Sequence, residues 1–252
     1  MKQATNSIQV IGRLSSLLDV IATHDEPVSL KILSAETGLH PSTAFRILSS
    51  LAEQGFVERT ARGNYQLGVK LMQLGSRVSS SVDIRKVALP LMEQLRDRLG
   101  ETVNLAIREG DEVVYIERAL AKRMMRVEQV IGSRAPLHVT AVGKLILGAL
   151  GEEACSSYAK RSKLPAYTVN THTRAAALKQ ECIAAAKAGY ALDNEEAELG
   201  VGCIGTLVHD AGGHAIAGLS VSAPIERRRD EWIAVVMETA AQISKQLGYH
   251  AA

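Results

Sequence analysis

A chain of 252 residues that is 46% hydrophobic and 22% charged has enough apolar content for one large core or two modest ones, and it is not the composition of a disordered protein. No run reaches the roughly 18 apolar residues of a membrane span, and the opening MKQATNSIQVIGR lacks the apolar centre of a secretory signal, so a cytoplasmic location without a membrane role is expected. Three cysteines with no CxxC pair argue against a disulfide scaffold or a thiolate metal site, while a net charge of +2 leaves nucleic acid open as a partner if basic residues cluster locally.

In chain order, the first elements are short helices. Residues 6–24 predict a helix in which Val10, Leu14, Leu17, Leu18 and Ile21 recur at helical spacing. After the break DEPVS, Ser29 is placed to cap a second helix, LKILSAETG, which Gly38 closes. Pro41 suits the first position of a third helix running to about residue 54, where its missing N–H costs nothing. Ala44, Ile47, Leu48 and Leu51 make the packing face of that helix, and Ser42, Arg46 and Ser49 form a second row flanked by Thr43 and Ser50. Gly55 ends it. FVERTARGNYQL then reads as a strand, a turn at Arg62-Gly63-Asn64, and a return strand carrying Tyr65 and Leu67.

Three short helices followed by a hairpin are the order of a winged helix-turn-helix. Small hydroxyls at the start of the third helix let a duplex approach closely, and free backbone N–H groups there favour phosphate. Arg46 has the reach and donors for a guanine edge or a phosphate, and Arg59 and Arg62 suit the DNA backbone or the minor groove. Phe45 is expected to pack against the wing. Between residues 46 and 77 the bases Arg46, Arg59, Arg62, Lys70 and Arg77 face only Glu53 and Glu58, a local excess of positive charge.

Residues 69–99 read as helical, interrupted near SSSVD, with Pro90 marking a bend or a helix that starts anew near Ile84. Leu71, Leu74 and Val78 form an apolar stripe suited to a second subunit. ETVNLAIREGDEVVYIERA predicts a hairpin turning at Glu109-Gly110-Asp111, and CIGTLVHDAGGHAIAGLSVSAP a second one turning at Asp210–Gly213. Helices are expected at about 140–150, 173–188 and 227–247. Hairpins early and late with helices between them imply an antiparallel α+β domain.

Two motif matches fail on context. GVGCIG at 200–205 has the spacing of a dinucleotide fingerprint, yet TLVHDAGG after it reads as strand and turn where a helix is required. Gly143-Lys144 has neither the Ser or Thr nor the preceding glycine of a phosphate loop. No metal or cofactor site emerges, and no catalytic residue is assigned. His138, Cys203 and Asp193 are the nearest to a nucleophilic set, with a pocket-facing histidine and a small buried thiol as the plainer account. His24, His172 and His209 read as surface residues.

PSTAFRILSSLAEQGFVER, YQLG at 65–68, ETVNLAIREGDEVVYIER, APLHVTAVGK, GYALDNEEAELGVGCIG and GLSVSAP together resemble the IclR family of transcriptional regulators over essentially the whole chain. The resemblance implies a winged helix-turn-helix over 5–68, a linker helix over 69–83, and a GAF- and PAS-like effector-binding domain over 84–252. It implies double-stranded promoter DNA as a partner, read by Ser42, Thr43, Arg46, Ser49, Arg59 and Arg62. It also implies homodimers or tetramers built as dimers of dimers, which repress or activate catabolic genes in response to a small organic acid, either a 2-oxo acid or an aromatic acid.

Carried over residue by residue, the family's pocket implies effector roles for Asp193, Cys203, Ser220 and Ser222. The stretch Thr140, Ala141, Val142 and Gly143 would offer backbone N–H groups to a carboxylate. Ala141 and Val142 stand where a glyoxylate-responsive branch has Gly-Ala, and Val142 presents more apolar surface, so a glyoxylate-like ligand does not carry over and something larger is allowed. Ser220 and Ser222, two apart on a strand, share one face, and hydroxyls with a thiol can hold a carboxylate without a full positive charge. A regulator answering to a protein partner, or a thiol-dependent enzyme using Cys203, are the alternative readings.

Overall fold

The computed structural model describes residues 9–79 and 83–250, together with every side chain in that range except those of 76–79. Positions 5–8 of the expected first helix and domain, residues 80–82 of the expected interruption and linker, and the side chains of Arg77 and Val78 lie outside the described residues. The chain divides into two compact units, Met1–Ser81 and Val82–Ala252.

The N-terminal unit opens with α1 (Gln9–Ala22), α2 (Leu30–Thr37) and α3 (Pro41–Glu53). Ser29 Oγ accepts the Ile32 N–H, and Gly38 at φ 67° turns the chain out of α2. Pro41 stands in the first turn of α3, but the cap before it is His40, whose Nδ1 accepts from the Ser42 N–H at 3.4 Å. The stripe Ala44, Ile47, Leu48 and Leu51 is buried against Leu17 and Ile21 of α1, Leu33 of α2, and Val57 and Tyr65 beyond. Strands β1 (Val57–Arg59) and β2 (Tyr65–Leu67) pair antiparallel, and Tyr65 also exchanges two backbone hydrogen bonds of 2.8 Å with Val28. A Cβ at Gly68 would strike the Gly55 carbonyl, so glycine is what lets the hairpin return across the end of α3. Helix α4 (Val69–Ser79) follows.

The C-terminal unit begins with α5 (Ile84–Leu99), capped by Asp83, whose Oδ1 accepts the Arg85 N–H at 3.1 Å. Pro90 lies within this helix on its exposed side, so the helix starts at Ile84 and runs on through the proline. Six strands form one antiparallel sheet: β3 (Thr102–Glu109), β4 (Glu112–Ala119), β5 (Arg134–Pro136), β6 (Tyr190–Asn194), β7 (Val201–His209) and β8 (Ala215–Pro224), in the order β5-β4-β3-β8-β7-β6. Helices α6 (Ala141–Ala149), α7 (Glu152–Ser162), α8 (Ala175–Ala188) and α9 (Trp232–Gln246) complete the unit.

Strand alternation gives the sheet two different faces. Val103, Leu105, Ile204, Leu219 and Val221 pack with Met92 and Leu95 of α5 and with Val236, Ala240 and Ile243 of α9. Their neighbours Asn104, Ala106, Cys203, Gly205, Gly218 and Ser220 point the other way, towards α6. The start of α6 presses onto that face: a Cβ on Gly218 would overlap the Val142 side chain, and one on Gly205 would crowd Ala141. Gly205, the last glycine of GVGCIG, is therefore a packing glycine.

Three expectations are corrected here. Helix α7 was not foreseen, because EEACSSYAKRS buries only Cys155, Tyr158 and Ala159 and shows little apolar periodicity. The last helix starts at Trp232, not near 227, since Arg227 is drawn aside into ion pairs with Glu101. His209 is half-buried and stacked on Tyr249, ring centroids 5.1 Å apart.

Candidate functional site

On the N-terminal unit, α3 exposes Ser42, Arg46 and Ser50, with Thr43 and Ser49 half-buried beside them. Ser42 Oγ lies 2.8 Å from His40 Nδ1, so the helix start is held by a histidine–serine pair. The Arg59 guanidinium stacks on two rings, 6.0 Å from the centroid of Phe45 and 5.8 Å from that of Tyr65. This pins the wing to the exposed helix. Phe45 does meet the wing, as expected, yet stays 42% exposed. Arg62 is exposed beside the turn residue Gly63, at φ 83°. Arg13 and Gln54 share a groove with Thr43 and Arg46; sequence reading missed both because they lie on other turns of other helical faces.

In the C-terminal unit, a cavity of about 650 Å³ runs across the polar sheet face from Tyr115 on β4 to Asp193 on β6. Thr140, Ala141, Val142, Asp193, Cys203 and Ser220 all lie on its wall. Gly143 and Ser222 do not. The Gly143 N–H donates to Thr140 Oγ1 at 3.1 Å, and a Cβ there would strike the Leu137 backbone. Ser222 is buried behind the wall, its Oγ accepting from Asn104 Nδ2 at 3.1 Å and lying 3.2 Å from Cys203 Sγ.

Asp193 is 2% exposed, and its Oδ1 accepts the Glu196 N–H at 2.8 Å. Burial pushes its carboxyl up to about 6 despite that bond. Behind it, the buried Lys144 Nζ sits 2.5 Å from Glu196 Oε1 and 3.5 Å from Glu181. Burial also raises the Cys203 thiol, and the neighbouring Asp193 adds to the effect, so the sulfur is kept protonated. His138 is elsewhere, buried between the Tyr158 hydroxyl at 2.8 Å and the Pro165 carbonyl at 3.1 Å, and it does not line the cavity. The structure thus does not join Cys203 and His138 in a nucleophilic pair. Among the described residues, no group of three or more His, Cys, Asp or Glu side chains could hold a metal ion.

Sequence reading overlooked the loop between β4 and β5, which supplies Arg126, Val127, Glu128, Gln129 and Val130 to the cavity. It also missed Asn104 and Lys144. Both carried a signal: a polar residue at an inward position of TVNLA, and a lysine inside the apolar helix AVGKLILGA.

A winged helix followed by a sheet-and-helix unit with an internal cavity defines a DNA-binding regulator of the ligand-sensing class. The sequence matches the IclR helix-turn-helix domain over residues 10–61 and the bacterial transcriptional regulator IclR C-terminal domain over residues 76–247, and the chain belongs to the IclR family. It is 31% identical over 252 residues to the transcriptional repressor IclR of Escherichia coli strain K12, covering 97% of this chain and 92% of that protein. The crystal structure of the Agobacterium tumefaciens repressor BlcR is similar at 28% identity and a TM-score of 0.77, covering 98% of this chain and all of that one. An IclR homolog from Microbacterium hydrocarbonoxydans, crystallised with 4-hydroxybenzoate, is 26% identical with a TM-score of 0.62, over 94% of this chain and 98% of that one. No helix among the described residues is long and apolar enough to cross a membrane.

Proposed function

We propose that this regulator binds promoter DNA of catabolic genes as a homodimer or a dimer of dimers, and that a small organic acid held in the C-terminal cavity sets its activity. The observation that carries the reading is the cavity: mostly apolar walls with Thr140, Asp193, Cys203 and Ser220 converging on it, the usual make-up of a small-molecule site. Residues 5–68 would read DNA, 69–83 would link, and 84–252 would sense. Ser42, Thr43, Arg46 and Ser49 meet the major groove, and Arg59 and Arg62 hold the backbone from the wing. Thr140, Ala141, Val142, Asp193, Cys203 and Ser220 touch the effector, while Gly143 and Ser222 hold that wall in shape. The 4-hydroxybenzoate bound by the Microbacterium relative supports the aromatic branch of the two acid classes.

The test is a thermal-shift screen of the full chain against 2-oxo acids and aromatic acids, followed by promoter binding with and without each hit. A ligand at 100 times its dissociation constant adds about 2.7 kcal/mol to stability. A hit weakened by Ser220→Ala that also changes promoter binding supports the reading. Acids that leave both stability and promoter binding unchanged would transfer control to a protein partner.

A further inference from the structure

Resting on the reading of the cavity as an effector site, we infer that Arg126 is the anchor for the effector's carboxylate, that Glu128 is an internal anion competing for it, and that the ligand is a hydroxylated aromatic acid whose hydroxyl points towards Asp193. The cavity is electrically lopsided. At the β6–β7 end stand Asp193 and Glu198; Lys144 is already matched by Glu196 and Glu181, and Arg228, which does not line the cavity, is turned to the Asp193 backbone carbonyl at 3.0 Å and to Asn194 Oδ1 at 2.6 Å. A carboxylate placed there would meet a buried acid. Nor is the start of α6 fully available to it, because Thr140 already takes the Gly143 N–H.

The opposite wall has the reverse balance. Arg118 lies 2.9 Å from Glu128 Oε1, and Arg126 donates to Glu128 Oε2 at 3.2 and 3.3 Å. Two guanidinium groups share one carboxylate, which leaves one positive charge in excess. Arg126 is steadied from behind by donating to the Arg123 carbonyl at 3.1 Å, and both Arg126 and Glu128 line the cavity. Arg134, the other guanidinium on the wall, already faces two carboxylates, Glu109 and Glu112. A planar carboxylate suits the two-donor fork of Arg126. Between the charged ends, Ala106, Val113, Ala135 and Val142 give an apolar stretch that a ring fills and a three-carbon oxo acid does not. At the far end, Asp193 accepts a hydrogen bond from a phenol.

The test is calorimetric titration of the full chain and of its Arg126→Gln and Glu128→Gln variants with 4-hydroxybenzoate, its neutral amide, benzoate and pyruvate. The expected result is opposite changes for the acid alone: at least tenfold weaker binding of 4-hydroxybenzoate in Arg126→Gln, and severalfold tighter binding in Glu128→Gln. The amide should move less than twofold in either, and benzoate and pyruvate should bind wild type more weakly than the hydroxy acid. Equal shifts for acid and amide would reduce Arg126 to a brace for its loop and overturn the inference. So would pyruvate binding that Arg126→Gln leaves intact, an outcome that keeps the cavity as an acid sensor. Failure of all four probes to bind wild type would overturn the ligand class, and the broader acid screen would then judge the effector reading separately.

Discussion

Lys144→Met should be the most damaging conservative change in the C-terminal unit. The lysine is fully buried, its ammonium 2.5 Å from Glu196 Oε1, and Glu196 is itself only 2% exposed. Methionine fills much of the aliphatic volume, so the loss is electrostatic. Glu196 would keep a charge that water cannot reach, with its Oε2 already lacking a partner. Breaking a buried pair from one side costs about 3–5 kcal/mol, whereas removing both charges costs far less. Lys144→Met with Glu196→Gln should therefore recover most of the loss. Urea unfolding followed by the fluorescence of the single tryptophan, Trp232 on α9, reports on this unit. A Lys144→Met loss below about 1 kcal/mol, or a double variant no more stable than Lys144→Met alone, would refute the reasoning.

Asp193, faced by Glu196, Lys144 and Cys203, has a folded-state pKa of about 6 against an ordinary 3.8. A raised acid binds more protons when folded, so its favourable contribution is full below pH 3.8 and is lost as pH rises through 6. Asp193→Asn should accordingly gain about 3 kcal/mol on wild type between pH 4 and pH 8, measured by urea unfolding across that range; a pH-independent difference would sink the assignment. Gly218→Ala places a methyl against Val142 and should cost about 1–3 kcal/mol by thermal denaturation, with partial rescue by Val142→Ala. On DNA, Arg46→Ala should weaken operator binding more than random-sequence binding in a gel-shift titration. Arg62→Ala should weaken both alike and flatten the salt dependence by about one.

What could be read in the sequence follows from what each residue's role leaves visible. The helices of the N-terminal unit and both long hairpins announce themselves through periodicity and turn glycines, because their cores are built from local patterns. Cys203, Ser220 and Asp193 stood out through family motifs and do share one cavity wall. The β4–β5 loop has no periodicity, and its place over the sheet depends on contacts distant in sequence, such as Arg227 donating to the Met125 carbonyl at 2.9 Å. Asn104 Nδ2 donates to Gln129 Oε1 at 3.0 Å across 25 residues of sequence. Ser222 does share the face of Ser220 and stands opposite Cys203, but its hydroxyl is taken up by Asn104 and Cys203, and the Gly143 N–H is taken by Thr140, pairings that strand alternation and motif position do not reveal.

The alternation along β7 and β8 has a consequence for how such a sensor diversifies. Cys203 and Ser220 face the cavity, while Ile204, Leu219 and Val221, next to them in the chain, belong to the core against α5 and α9. Ligand preference and foldedness are thus written on interleaved positions of the same strands. Drift at Ser220 or Cys203 leaves the side chains of the α5–α9 core in place, so new specificities can be sampled there while that half of the domain keeps its packing.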